Sequence, residues 1–305
     1  MTDHTHTNLE TPHAGIEMIR SFLAESGMGG SIAQVRAFMD EPTGGNPAPE
    51  GVTVSAEEIG GRPVEWLQPE GIDRERAVLY LHGGGYCAGS LSSHRGIAGR
   101  LALSSGVAVA ALDYRLAPEN PFPAATDDAV AAYRDLLALG IAASSIAISG
   151  DSAGGGLTVC TALALRAAGD PLPAALACLS PWVDLTQSAD SYSRLGHLDP
   201  MCSASGLNEM AAAYLVDVDP QQDLVSPRFA DLAGLPPLRI DVGTEEVLLD
   251  DAMGLAEQAN ASGVDTTLVV WPQMIHVFQA FPGELVPESD QSIDAIGAFL
   301  ASHLI

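Results

Sequence analysis

Two glycine-rich turns, each directly after a strand-like run, constrain this chain more than anything else in it. His82-Gly83-Gly84-Gly85 follows Ala77-Val78-Leu79-Tyr80-Leu81, and Gly150-Asp151-Ser152-Ala153-Gly154 follows Ser144-Ser145-Ile146-Ala147-Ile148-Ser149. A G-x-S-x-G sequence is chemically meaningful when it makes a tight strand-to-helix turn that lifts a serine hydroxyl clear of its own backbone. Leu157-Thr158-Val159-Cys160-Thr161-Ala162-Leu163-Ala164-Leu165 supplies the expected helix, and Gly150, Ala153, Gly154 and Gly155 keep side chains out of the crowded turn. That pattern is common by chance in a chain rich in glycine and serine, whereas a histidine followed by three glycines is rare. Consecutive glycines leave backbone N–H groups unobstructed, which suits a developing oxyanion. The expected donors are the amides of Gly83 and Gly84, together with that of Ala153, the residue after the serine.

A serine hydroxyl needs a base to take its proton and a third group to orient that base. His4, His6 and His13 lie in a polar N-terminal tail, His82 belongs to the glycine loop and is expected to brace it, and His303 is nearly the last residue. His94 and His197 have no strand immediately ahead of them. His276 follows the strand-like run Asp265-Thr266-Thr267-Leu268-Val269-Val270-Trp271, and residues beyond the carboxyl ends of parallel strands line the ligand crevice. It is the expected base. The acid is sought at another strand end between Ser152 and His276, and Leu238-Arg239-Ile240-Asp241-Val242-Gly243 is such a strand. Glu246 is the expected acid with Glu245 its rival, while Asp250 and Asp251 read as helix surface charge. The order Ser, acid, His differs from that of chymotrypsin-like and subtilisin-like proteases.

With these residues in place the chain resembles the bacterial hormone-sensitive-lipase-like esterases, an α/β-hydrolase family. Asp113-Tyr114-Arg115-Leu116-Ala117-Pro118-Glu119, followed by Phe122-Pro123-Ala124-Ala125 and Asp127-Asp128, is similar to a family signature, as is Ser180-Pro181-Trp182-Val183-Asp184-Leu185. The resemblance runs from about residue 75 to the C-terminus. Two positions depart from it: Glu246-Val247-Leu248 stands where the family commonly has Asp-Pro-Leu, and Val277 stands where Gly often follows the histidine.

The resemblance implies an α/β-hydrolase fold, a mostly parallel sheet flanked by helices with a helical cap, and a serine carboxylesterase acting on small acyl esters of short to medium chain. No cofactor or metal is implied. Alternatives on the same machinery are a deacetylase or an amide or carbamate hydrolase; from another class comes a non-catalytic small-ligand-binding protein. The implied organisation is a catalytic core over residues 51–184 and 227–305, a cap insertion over 185–226, and N-terminal helices within 1–50 that contribute to the cap. The helical spacing of Ile16–Leu23 and Ile32–Met39, the link from Glu41 to Pro49, and the helix-prone run Leu207–Leu215 fit this division. Phe22, Phe38, Met210, Tyr214 and Tyr86 are candidate pocket walls. Many members of the family pair, so a homodimer is expected.

Composition narrows the partners. With 39 acidic against 13 basic residues and a formal charge of −26, the surface repels nucleic-acid phosphates and anionic membranes. No signal segment or membrane-length apolar run is visible, so the expectation is a cytoplasmic protein without membrane insertion. The cysteines, Cys87, Cys160, Cys178 and Cys202, lack C-x-x-C spacing and are expected as reduced thiols. A hydrophobic fraction of 47% is enough to cover a sheet on both faces, and one α/β unit is expected.

Overall fold

The computed structural model describes residues 12–26, 31–39 and 47–305. The segment 40–46, which holds most of the expected link, lies outside them, as do His4 and His6. Two short helices, α1 (Ala14–Ser26) and α2 (Ile32–Met39), precede a hairpin of β1 (Val52–Ile59) and β2 (Arg62–Pro69). Gly60 and Gly61 turn that hairpin with φ of 61° and 72°, a left-handed pair that matches the twist of the flanking strands. Then follow β3 (Ala77–Leu81), α3 (Leu91–Ser105), β4 (Ala108–Leu112), α4 (Ala124–Ala138), β5 (Ile146–Asp151), α5 (Ala153–Ala168) and β6 (Ala175–Leu179). After β6 come α6 (Ser191–Arg194), α7 (Ala204–Leu215), β7 (Leu238–Gly243), α8 (Leu249–Ala261), β8 (Thr266–Trp271) and α9 (Pro287–His303).

The eight strands form one sheet in the order β1-β2-β4-β3-β5-β6-β7-β8. β1, β2 and β4 pair antiparallel, and every pairing from β4 to β8 is parallel. Strands β3, β4, β5 and β6 are buried at every position, which their continuous apolar runs require, since helices cover both faces. Successive side chains point to opposite faces: Leu79 and Leu81 join the core under α4, α5 and α8, while Val78 and Tyr80 join the one under α3 and α9. A third, smaller core packs Ile16, Ile19 and Leu23 of α1 against Met274, Ile275 and Phe278, the stretch that contains His276.

Two boundaries differ from expectation in an informative way. The strand expected at residues 144–149 is a short 3₁₀ turn over Ala143–Ser145 followed by β5, which runs on through Asp151. The helix expected from Leu157 begins at Ala153. Glycines at 154–156 carry poor helix propensity, so the sequence suggests a loop there; close backbone approach overrides propensity. A Cβ at Gly154 would lie 2.6 Å from the His82 carbonyl oxygen, and one at Gly155 would lie 2.9 Å from Pro181 Cβ.

Candidate active site

Strand β5 delivers Ser152 into a single-residue turn with φ 53° and ψ −121°, a conformation that non-glycine residues seldom adopt. Backbone bonds hold the turn rigidly: Ser152 N donates to Leu179 O (2.8 Å), and Ser152 O accepts from Trp182 N (2.9 Å) and Gly156 N (3.1 Å). Ser152 Oγ lies 3.0 Å from His276 Nε2, and His276 Nδ1 lies 2.8 Å from Glu246 Oε2. All three side chains are buried. Glu246 is fixed in turn, because its Oε1 accepts from Gly243 N (2.7 Å) and from Ser180 Oγ (2.8 Å). The rival Glu245 pairs instead with Arg20 of α1.

Burial opposes a charge on His276, but contact with the Cys202 sulfur and the Glu246 carboxylate outweighs it, holding the imidazole pKa well above its ordinary 6.5. His82 is the opposite case. Burial, reinforced by His94, pushes it down to about 3. Its ring stacks on Tyr114 (centroids 4.2 Å apart) with Nδ1 2.7 Å from Gly83 O, so it stands as a neutral brace for the glycine loop.

The oxyanion donors expected from the sequence need one correction. The Gly83 N–H donates to Asp151 Oδ1 (3.1 Å) and is therefore already engaged. The amides of Gly84, Gly85 and Ala153 donate to nothing among the described residues. Gly84 and Gly85 have φ of 112° and 61°, which only glycine adopts without strain, and both border the cavity in front of Ser152.

That cavity has a volume of about 330 Å³. Phe22 of α1, Phe38 of α2 and Met210 of α7 line it, so three of the five candidate wall residues are brought together. Tyr86 and Tyr214 are not. They stack face to face at 4.0 Å, each 1% exposed, beneath the glycine loop and away from the opening. The positive φ of Tyr86 (61°) accompanies this inward turn, and Tyr214 lies one helical turn beyond Met210.

Three residues at the site escape a reading of the sequence. Ser180 donates to Glu246 and accepts from Val277 N (3.1 Å), joining the carboxylate to the histidine loop; its place in the Ser-Pro-Trp block is the one signal for it. Asp199 accepts from Cys202 N (2.8 Å) and Val247 N (3.0 Å) and so ties the segment after β6 to the Glu246 turn. His94 borders the cavity with Nε2 3.4 Å from Asp151 Oδ2, and nothing local in the sequence marks it. A further correction concerns Asp251: it is buried and accepts from Val183 N (3.1 Å) and Asp184 N (2.9 Å), so it is no surface charge. Among the described residues no cluster of His, Cys, Asp and Glu is disposed to hold a metal ion, and no helix is long and apolar enough to cross a membrane.

Residues 78–280 match the family model for the α/β-hydrolase fold. An acetyl-hydrolase of Streptomyces hygroscopicus is 46% identical over 242 residues, 79% of this chain and 80% of its own. The chain belongs to the α/β-hydrolase-fold family, among its carboxylic ester hydrolases. Solved structures agree with that placement. An esterase from the bacterial hormone-sensitive lipase family is 41% identical with a TM-score of 0.89, covering 95% of this chain and 98% of its own. The esterase EstE5, in crystals soaked with p-nitrophenyl butyrate, has the same identity and coverage with a TM-score of 0.90.

Proposed function

We propose that this family member is a serine carboxylesterase for acyl esters of short to medium chain, working through an acyl-enzyme formed on Ser152. The observation that carries the reading is the hydrogen-bonded line from Ser152 Oγ to His276 (3.0 Å) to Glu246 (2.8 Å). His276 Nε2 takes the hydroxyl proton as Oγ attacks the ester carbonyl carbon, and Glu246 holds the ring and stabilises the imidazolium. The carbonyl oxygen, now an oxyanion, is received by the amides of Gly84, Gly85 and Ala153. As the tetrahedral species collapses, His276 protonates the departing alkoxide and the acyl group stays on Ser152. Water then repeats the sequence with the same proton path, releasing the carboxylic acid and restoring the hydroxyl.

Substrate size follows from the cavity, whose apolar wall of Phe22, Phe38 and Met210 suits an acyl chain of a few carbons. Residues 185–226, together with α1 and α2, act as the cap that excludes water during the chemistry. The similarity to an acetyl-hydrolase and to an esterase soaked with a butyrate ester supports the short end of the range. The test is hydrolysis of a series of nitrophenyl esters from acetyl upward by the wild type and by Ser152→Ala. The expected result is a maximum at short acyl chains and, in the variant, a loss of about 10⁴-fold or more in kcat. Equal rates in the two proteins would overturn the reading.

A further inference from the structure

Beside the Ser-His-Glu line lies a second polar assembly that the mechanism above does not use. Asp151, the residue before Ser152, is almost fully buried and accepts from Tyr80 OH (2.7 Å) and Gly83 N (3.1 Å), with His94 Nε2 at 3.4 Å. A Cβ at Gly83 would lie 3.2 Å from Asp151 Cγ and 3.1 Å from Ser152 Cβ, so this carboxylate stands between the nucleophile turn and the glycine loop. Burial raises its pKa, yet His94, Tyr80 and His82 together draw it below the ordinary carboxylate value, and the group is ionised. An anion fixed next to a developing oxyanion opposes it unless something neutralises it.

His94 is placed to do so. It sits in the first turn of α3, whose N-cap Ser90 makes a reciprocal capping box with Ser93. Ser93 Oγ accepts from Ser90 N (2.8 Å) and lies 3.0 Å from Ser90 O and 2.8 Å from His94 Nδ1, either of which its one proton can reach. With that proton on Ser90 O, both ring nitrogens of His94 face oxygen acceptors, the arrangement an imidazolium takes. Among the described residues, the groups other than His94 that touch Asp151 or its turn supply no cation to it directly: burial keeps Tyr80 and Tyr114 as neutral phenols, His82 is neutral, and His276 is turned to Ser152 and Glu246. Arg100 of the same helix is committed to Gln279 O, Ser289 and Asp290.

We propose that His94 is a positioning residue for ester hydrolysis, its imidazolium neutralising Asp151 so that Asp151 can anchor Gly83, and with it the Gly84 and Gly85 amides, without opposing the oxyanion. The inference rests on the esterase reading above. Its test compares wild type, H94Q, H94K and the double variant H94Q/D151N, each expressed per active site titrated with a fluorophosphonate. Failure of the wild type to label at Ser152 overturns the esterase reading itself and is distinguishable from failure of the role given to His94. H94Q should lose about 10- to 100-fold in kcat with KM within about threefold, because the charge acts on the transition state. H94K, which keeps the cation, and H94Q/D151N, which removes the anion, should each regain at least about tenfold over H94Q. An unchanged kcat in H94Q overturns the proposal, as does a loss that neither other variant relieves. Should H94Q yield no titratable sites, the proposal still requires both other variants to yield active ones, and inactive titratable sites in both overturn it.

Discussion

Glu245 and Glu246 are adjacent in sequence and face different partners: one pairs with Arg20 on α1, the other with His276. Replacing Glu246 with glutamine keeps the shape but removes the charge that stabilises the imidazolium, so kcat should fall by about 10³- to 10⁴-fold. Glu245→Gln loses a half-buried ion pair and should cost less than about tenfold. Steady-state kinetics of the two variants on one ester decides between them; the reverse pattern would move the acid to Glu245. The histidine itself predicts a pH profile. In the proposed mechanism His276 must be neutral to accept the Ser152 proton, and its pKa is raised above 6.5, so kcat/KM should climb with pH along a limb whose midpoint lies above that value. The Cys202 sulfur contributes to the shift, and Cys202→Ala should move the midpoint downward. Profiles of both proteins across about pH 5 to 9 check this, and coincident limbs would remove Cys202 from the account.

Elements show which parts of the site local pattern can carry. The strands β3 and β7 match the residues read from the sequence, because buried parallel strands announce themselves as short apolar runs between breakers. Ser152, His276 and Glu246, which the structure brings within hydrogen-bond reach of one another, can be singled out in the sequence for the same reason: each follows a strand end. What stays hidden depends on contacts between elements distant in sequence. The engaged Gly83 amide depends on a side chain 68 residues away, and the buried pair of Tyr86 with Tyr214 on a stack that no local pattern reports. The Asp113–Glu119 signature gains a physical reason only in three dimensions, where Tyr114 OH donates to His82 O (2.6 Å) and Glu119 receives Arg36 of α2. Asp251 of α8 makes a prediction at this scale. It holds the backbone where β6 leaves for residues 185–226, and burial together with the nearby Asp184 raises its pKa to about 8. A carboxyl whose folded pKa is raised contributes stability that is full below the unfolded value near 3.8 and is lost as pH rises toward 8. Asp251→Asn keeps an acceptor for the two amides and does not ionise. Its Tm relative to wild type should therefore increase steadily between about pH 5 and 8 and level off above; a constant difference would mean that Asp251 does not titrate in that window.

At the scale of the whole molecule, charge is the strongest influence outside the core. A chain with 39 acidic and 13 basic residues cannot pair most of its carboxylates, and the unpaired ones repel one another across the surface of a sheet-centred core. Several of the few cations are committed to structure: Arg20 and Arg36 fasten α1 and α2 over the cavity through Glu245 and Glu119, and Arg115 pairs with Asp128 behind the glycine loop. Added salt acts on both populations. It weakens exposed ion pairs, each worth up to about 1 kcal/mol, and it shortens the reach of repulsion from about 10 Å at 0.1 M to about 3 Å at 1 M. With a net charge of −26 the repulsive pairs far outnumber the attractive ones, so the second effect should win for global stability. Tm should rise with sodium chloride over that range, where Hofmeister effects are weaker than with sulfate. The fastening of α1 and α2 should respond in the opposite sense, since it depends on ion pairs at the rim. Hydrogen exchange of the α1 and α2 amides, followed at the same salt concentrations below Tm, should accelerate as Tm rises. A Tm that falls across the series would show that the ion pairs, and not the surplus of carboxylates, govern how this molecule responds to its solvent.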